Sequence, residues 1–366
     1  MKKRFLALLT LSSMLLSGCA AMLEQDYIHV SPHSSTLLDT NDPSILRVET
    51  YQELVNALIY FISAGTETGT IRLYLDSTQI ETDLENACLE VIQEDPLGAY
   101  AVEYIKYSVT PLVTYSEAEV QITYRRSREQ LLSIVSATGT PAIRSELEAV
   151  LSGHANSCTL RIGYFDQDEA YIQSLVRQAY LSAPSHALDY PDATVSIYPE
   201  NSQGRQRIVE IELQYHLSQE ELLQRETLLQ DALHEKLTPL LVSSSPADIQ
   251  SVAQLLLSLE SYHPDGGPTA YHTLVEHRAN SEGLALCQLL LCESLKLPCH
   301  LVSGFLDDTP HYWNIVETPD GWRHLDLSSG SEPAFLTDEE QIQSGYLWDP
   351  TAVPACPSPE PISAPS

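Results

Sequence analysis

Apolar and polar residues alternate through "TIRLYL" from Thr70. Apolar positions then recur three and four apart through "IETDLENACLEVIQ", and Pro96 stops the run. Period two followed by a 3.6-residue period predicts a half-buried strand leading into an amphipathic helix. "TLRIGYFDQDEAYIQSLVRQAYLSAP" from Thr159 repeats the same succession. Further on, "AEVQITYRRSREQL" from Ala118 corresponds to "VEIELQYHLSQEEL" from Val209, which sets Tyr124 against Tyr215. Helical patterns precede both stretches, "YQELVNALIYF" in the first and "RSELEAVL" in the second, and the offset stays near 90 residues. The chain therefore reads as two copies of one unit, residues 46–140 and 141–232, each running helix, strand, helix, strand, strand. Two copies are too few for a solenoid. Small α+β modules with helices on one face of a sheet are expected instead. Neither copy holds a run of clustered His, Cys, Asp or Glu, or a glycine-rich phosphate loop, so spacing, docking or partner binding is the expected role.

From about Lys236 the pattern changes, and residues 233–349 are expected as a third domain. "SPADIQSVAQLLLSLESY" predicts a capped amphipathic helix, and "HPDGGPTAYHTL" a Gly- and Pro-rich loop. "LALCQLLLC" from Leu284 is apolar almost all round, which predicts a buried helix. Asn280 or Ser281 is placed to cap its start, where the helix dipole favours an anion or a thiolate. Strands "HLVSGF", "YWNIVE" and "WRHLDL" follow, the last two joined by "TPDG" at residues 318–321. If Glu317 pairs with Trp322, Trp313 lies opposite Asp326, and His311, Trp313 and Asp326 share one face. An aspartate beside a histidine fixes its tautomer and stabilises its charged form. His324 is expected on the surface or a pocket wall rather than as a metal ligand. Residues 350–366, rich in Pro and Ser, are expected to be a disordered tail.

The order of "SEGLA" at Ser281–Ala285, "KLPCHLVSG", "HYWN" at His311–Asn314, "WRHLDL" and "FLTDEEQIQSGYLWDP" resembles the transglutaminase-like superfamily and its bacterial lipoprotein members. The resemblance implies a papain-like domain with a nucleophile at a helix start, a histidine on one strand and an aspartate on the next. Ser281, His311 and Asp326 occupy those three places, and Tyr271, Glu282, Trp313 and Asn314 are pocket candidates. Members with the full triad make or break amide bonds through a cysteine thioester, but here the nucleophile position holds serine. A thiol with a pKa of about 8.5 is ionised by a helix start and an imidazole, whereas a hydroxyl must lose its proton during attack. Ser281 therefore has three readings: a cap in a non-catalytic domain, a working serine nucleophile, or an unrelated role. The first makes the domain a degenerate scaffold whose cleft holds a peptide or cell-wall strand. The alternative is an amide or ester hydrolase or transamidase using Ser281, His311 and Asp326.

Composition adds the compartment. Lys2, Lys3 and Arg4 precede the apolar "FLALLTLSSMLLS", which ends in "LSGC" at Cys19. This arrangement resembles the signal and lipobox of bacterial lipoproteins. It implies that residues 1–18 are removed, that Cys19 is lipidated, that residues 19–45 form a tether, and that the remainder sits outside the cytoplasm on a bacterial membrane. Losing three positive charges takes the net charge from −31 to −34. Such a surface repels nucleic acid. Cys88, Cys158, Cys287, Cys292, Cys299 and Cys356 remain, with no CxxC pair. Neither a disulfide framework nor a zinc site is expected from that spacing, and no cofactor. Cys88, Cys287 and Cys292 fall in apolar helical patterns and are expected as small core residues.

Overall fold

The computed structural model describes residues 42–75, 78–200, 204–242 and 248–358. The expected signal, Cys19 and most of the tether lie outside them. The chain is a mixture of helices and three four-stranded sheets, and it divides into two compact units between Leu131 and Leu132.

The first unit contains β1 (Ile45–Val48), α1 (Tyr51–Ala64), β2 (Thr68–Leu73), α2 (Ile80–Gln93), a single turn α3 (Pro96–Ala101), β3 (Val102–Pro111) and β4 (Ser116–Tyr124). The short helix α4 (Arg128–Leu132) follows. Thr50 starts α1 through a capping box with Glu53, and Gly65 ends it at φ 66 in the left-handed region, which suits a residue without Cβ. The sheet order is β1-β2-β4-β3, with β1 and β2 parallel and the other pairs antiparallel. Burial alternates along β4, so Ala118, Val120 and Ile122 turn inward while their neighbours face out.

The second unit opens with β5 (Val135–Ala137), α5 (Gly139–Ser152), β6 (Ser157–Ile162), α6 (Glu169–Leu181), β7 (Asp192–Tyr198) and β8 (Arg207–Gln214). Its sheet has the order β5-β6-β8-β7, again with only the first pair parallel. Both sheets thus share one strand order. Each carries an edge strand, β1 or β5, ahead of its first helix. Neither strand was anticipated, because three or four residues are too few to show a period. β5 pairs with β6, so this sheet begins before residue 141.

The same unit continues with the long α7 (Gln219–Val242), α8 (Ile249–Ser258), β9 (Tyr262–Gly267), α9 (Ala270–Leu274), α10 (Ser281–Leu295), β10 (Cys299–Leu306), β11 (Thr309–Thr318), β12 (Gly321–Leu325), α11 (Asp338–Gln343) and β13 (Tyr346–Leu347). The third sheet is fully antiparallel, in the order β12-β11-β10-β13. The stretch expected as a bare loop after α8 contains β9 and α9. Short backbone bridges from Tyr262 and Gly267 to Ala279 organise it. α10 is buried from Glu282 to Cys292. One side of it faces the core of the second sheet, where Leu286 packs with Leu160 and Val176. The other side meets α8 and β11 through Cys287, Leu290 and Leu291. Cys88, Cys287 and Cys292 are buried small residues.

Two expectations are corrected here. His324 is neither on the surface nor on a pocket wall. It is fully buried, because its Nδ1 accepts from Trp313 Nε1 at 2.9 Å and its Nε2 meets Asp338 at 2.8 Å. Of the tail expected over residues 350–366, residues 359–366 lie outside the described residues and residues 350–358 are not disordered. Cys356 is buried, its N–H donates to Asp338 Oδ2 and its carbonyl accepts from Asp338 N–H, which moors this segment to α11. Among the described residues, no helix is long and apolar enough to cross a membrane.

Candidate functional site

Asn280, not Ser281, caps α10: its Oδ1 accepts from Gly283 N–H at 3.1 Å. Ser281 is thereby the first helical residue, half-buried at the positive end of the dipole. The approach of β9 dictates the small residue two positions on. A Cβ on Gly283 would lie 2.7 Å from Gly267 O and 2.9 Å from Thr269 O, so the helix start and the preceding loop interlock through bare backbone.

The hairpin register is the one its turn implies. Glu317 pairs with Trp322 and Asn314 with Leu325, and the next step sets Trp313 against Asp326. His311 Nε2 lies 2.7 Å from Asp326 Oδ2. Asp326 is surrounded by donors. Tyr346 Oη donates to Oδ2 at 2.6 Å, while Ser328 N–H and Ser328 Oγ donate to Oδ1 at 2.8 and 2.7 Å. Burial pushes the Asp326 carboxyl upward, but the bonds from His311, Tyr346 and Ser328 outweigh it and hold the group below the usual carboxylate range. An ionised Asp326 keeps the proton on Nε2, which leaves Nδ1 as the basic nitrogen of the ring. Trp313 stacks beside the imidazole at 6.3 Å and Tyr346 meets it edge-on at 5.8 Å.

Ser281 reaches the same strand one residue along. Its Oγ accepts from Tyr312 N–H at 3.4 Å, a long bond. Among the described residues this is the hydrogen bond that Ser281 Oγ makes, and in it the oxygen is the acceptor. The arrangement thus supplies an oriented imidazole–carboxylate pair and, against the backbone of the residue after His311, a hydroxyl that makes no bond to a base among the described residues.

The pocket candidates fall into different places. Glu282 is buried and pairs with Arg177 of α6 at 2.7 Å. Burial pushes its carboxyl up, and Arg177 pulls it partly back. Arg177 also donates to Tyr312 Oη at 2.9 Å and lies over the Tyr190 ring. Asn314 is buried and donates from Nδ2 to Ala285 O at 3.1 Å, tying β11 to α10. Trp313 is core, bonded to His324. Tyr271 packs in the core under Arg225. Arg177, Tyr312, Ser328 and Tyr346 also belong to this neighbourhood, although no sequence pattern marks them as site residues. Ser328 lies two residues past Asp326, and that local spacing was its one available signal. A cleft of about 780 Å³ borders the site through Leu284, Leu327 and Ser328 and extends along Gln254 and Tyr262. Ser281 and His311 are not among the residues that line it.

No family model matches this chain, and no curated protein matches it. Among solved structures, a chain described as "Crystal structure of a TGase" is 10% identical, with 69% of this chain and 72% of that chain covered, at a TM-score of 0.26. A likeness of that size carries no argument about fold or activity.

Proposed function

We propose that residues 233–349 form a transglutaminase-like domain that has lost its thiol chemistry and acts in binding or scaffolding at the cell envelope. The observation that carries this reading is the Ser281 hydroxyl. It sits at the helix start and accepts from the backbone of Tyr312, the residue after His311, instead of donating to a base, while His311 is paired with Asp326. A helix start and an imidazole ionise a thiol readily but leave a hydroxyl protonated. The neighbouring cleft suits an extended peptide or cell-wall strand. The motif order from "SEGLA" to "HYWN" and "HLD" supports the family reading.

A second reading keeps Ser281 as the nucleophile of an amide or ester hydrolase or transamidase. In its favour stands the ionised Asp326, which orients His311 as a working triad requires. Labelling with a serine-directed fluorophosphonate, alongside Ser281→Ala, separates the two. The expected result is no Ser281-dependent labelling, and labelling lost in Ser281→Ala establishes the enzyme. In Ser281→Cys, the new thiol is expected to react with iodoacetamide faster than Cys287 or Cys292. Both of those are fully buried, and burial pushes the Cys287 thiol far up. Equal rates would mean that the helix start does not activate a thiol there.

The shared strand order of the first two sheets and the near-constant offset of their patterns support a duplication. A superposition that failed to align both sheets with their helices would remove it. The "LSGC" ending supports a lipid anchor at Cys19 on a bacterial membrane.

A further inference from the structure

The second unit ends its first helix differently from the first. In the first unit, Gly65 N–H donates to Ile62 O and Thr66 N–H to Phe61 O, with Gly65 in the left-handed region. In the second, His154 N–H donates to Leu151 O and Ala155 N–H to Val150 O, so His154 stands where the first unit has glycine. It holds φ 49 there, a conformation that favours glycine. The strain places an imidazole in the interior, with its side chain 4% exposed. Among the described residues, His154 Nε2 has no hydrogen-bond partner. The Tyr215 hydroxyl is buried and unpartnered too, although its counterpart Tyr124 donates to Thr66 O at 2.8 Å. The Tyr215 ring lies edge-on to His154 at 5.9 Å.

Two further groups converge on that imidazole. Glu226 of α7 brings Oε2 to 3.9 Å from His154 Nε2 and Oε1 to 3.2 Å from His186 Nδ1. His186 Nδ1 is likewise buried without a hydrogen bond. The three ligating atoms all lie within 4.8 Å of one another. Tetrahedral zinc with bonds of about 2.0–2.1 Å spaces its ligands by about 3.3 Å, so the 3.2 Å separation already fits and the 3.9 Å separation must contract on binding. We propose that His154, His186 and Glu226 bind one zinc-class divalent cation, with water supplying the remaining ligand. Two imidazole nitrogens and one carboxylate suit zinc and disfavour calcium or magnesium, which take oxygen ligands. Bound there, the ion joins the end of α5, the segment after α6, and α7.

A second cluster, His324, Asp338 and Cys356, does not have this character. Trp313 Nε1–H occupies His324 Nδ1, so Nε2 carries the proton and donates to Asp338. Its ring is already satisfied on both sides.

The test is a Co²⁺ titration of the full chain after chelator treatment, read by visible absorption and X-ray absorption. One ion per chain is expected, with tetrahedral bands, imidazole scattering and no thiolate charge-transfer band. Circular dichroism checks each variant. His154→Ala and the near-isosteric Glu226→Gln are each expected to weaken binding at least about tenfold, while Cys356→Ser leaves it unchanged. The absence of stoichiometric binding by the wild type overturns the proposal without reference to any variant. So does a sulfur ligand, or binding that survives in both His154→Ala and Glu226→Gln.

Discussion

At the scale of single residues, Asp326 controls the candidate site. It accepts from His311, Tyr346 and both donors of Ser328, so its charge is held by geometry built from β11, β13 and the turn after β12. Its folded-state carboxyl lies below the ordinary value of 3.8. The native chain therefore binds fewer protons here than the unfolded chain at mildly acid pH. The resulting stability is complete above about pH 4 and is lost as pH falls through the depressed value. Asp326→Asn is expected to flatten the dependence of urea-unfolding stability on pH in that acid window. It should also lower stability at pH 7, by about 2 kcal/mol, since an amide cannot accept all four bonds. An unchanged acid limb would mean that Asp326 is not held ionised by these donors. The identities of His311 and Asp326 as partners were legible from a two-residue turn and strict alternation. Tyr346 was not, because it comes from a strand of two residues twenty positions downstream.

At the scale of elements, the placement of Ser281 depends on how α10 begins. The Asn280 cap orients the first turn, and Gly283 lets β9 pass over it at backbone distance. Gly283→Ala would drive a methyl group against two carbonyl oxygens on a segment held by Gly267 N–H to Arg278 O and Asn280 N–H to Gly267 O. Overpacking of this kind costs about 1–3 kcal/mol. Thermal unfolding of Gly283→Ala should show that loss, whereas an exposed-site alanine change should show almost none. An unaltered Tm would mean that the loop yields freely and does not position the helix start. The buried character of α10 followed from its apolar circumference. The reason for its glycine did not, since β9 is a strand through a Pro- and Gly-rich stretch that carries no period.

At the scale of the whole molecule, α10 is shared. Leu286 belongs to the core of the second sheet, and the Arg177–Glu282 pair ties α6 to the first turn of α10. The second sheet and the candidate site therefore form one compact unit instead of beads on a string. A net charge of −31 on 366 residues leaves a strongly acidic chain, which disfavours anionic partners. The proposed anchor belongs at this scale too. Metabolic palmitate labelling is expected in the wild type and absent in Cys19→Ala, and equal labelling of both would end the lipoprotein reading.

The sequence by itself determined what local periodicity and short spacing encode. The repeated strand–helix pattern, the buried α10 and the "TPDG" hairpin register each rest on neighbours within a few residues, where side-chain direction follows directly from backbone geometry. Only the tertiary structure decided what depends on long-range closure. It brought Arg177 to Glu282, Tyr346 to Asp326 and Cys356 to Asp338. It also gathered His154, His186 and Glu226, which lie on three segments with no metal-ligand spacing between them. These segments meet there because the helices that carry or precede them pack through apolar faces, and no periodicity along the chain records where they will meet.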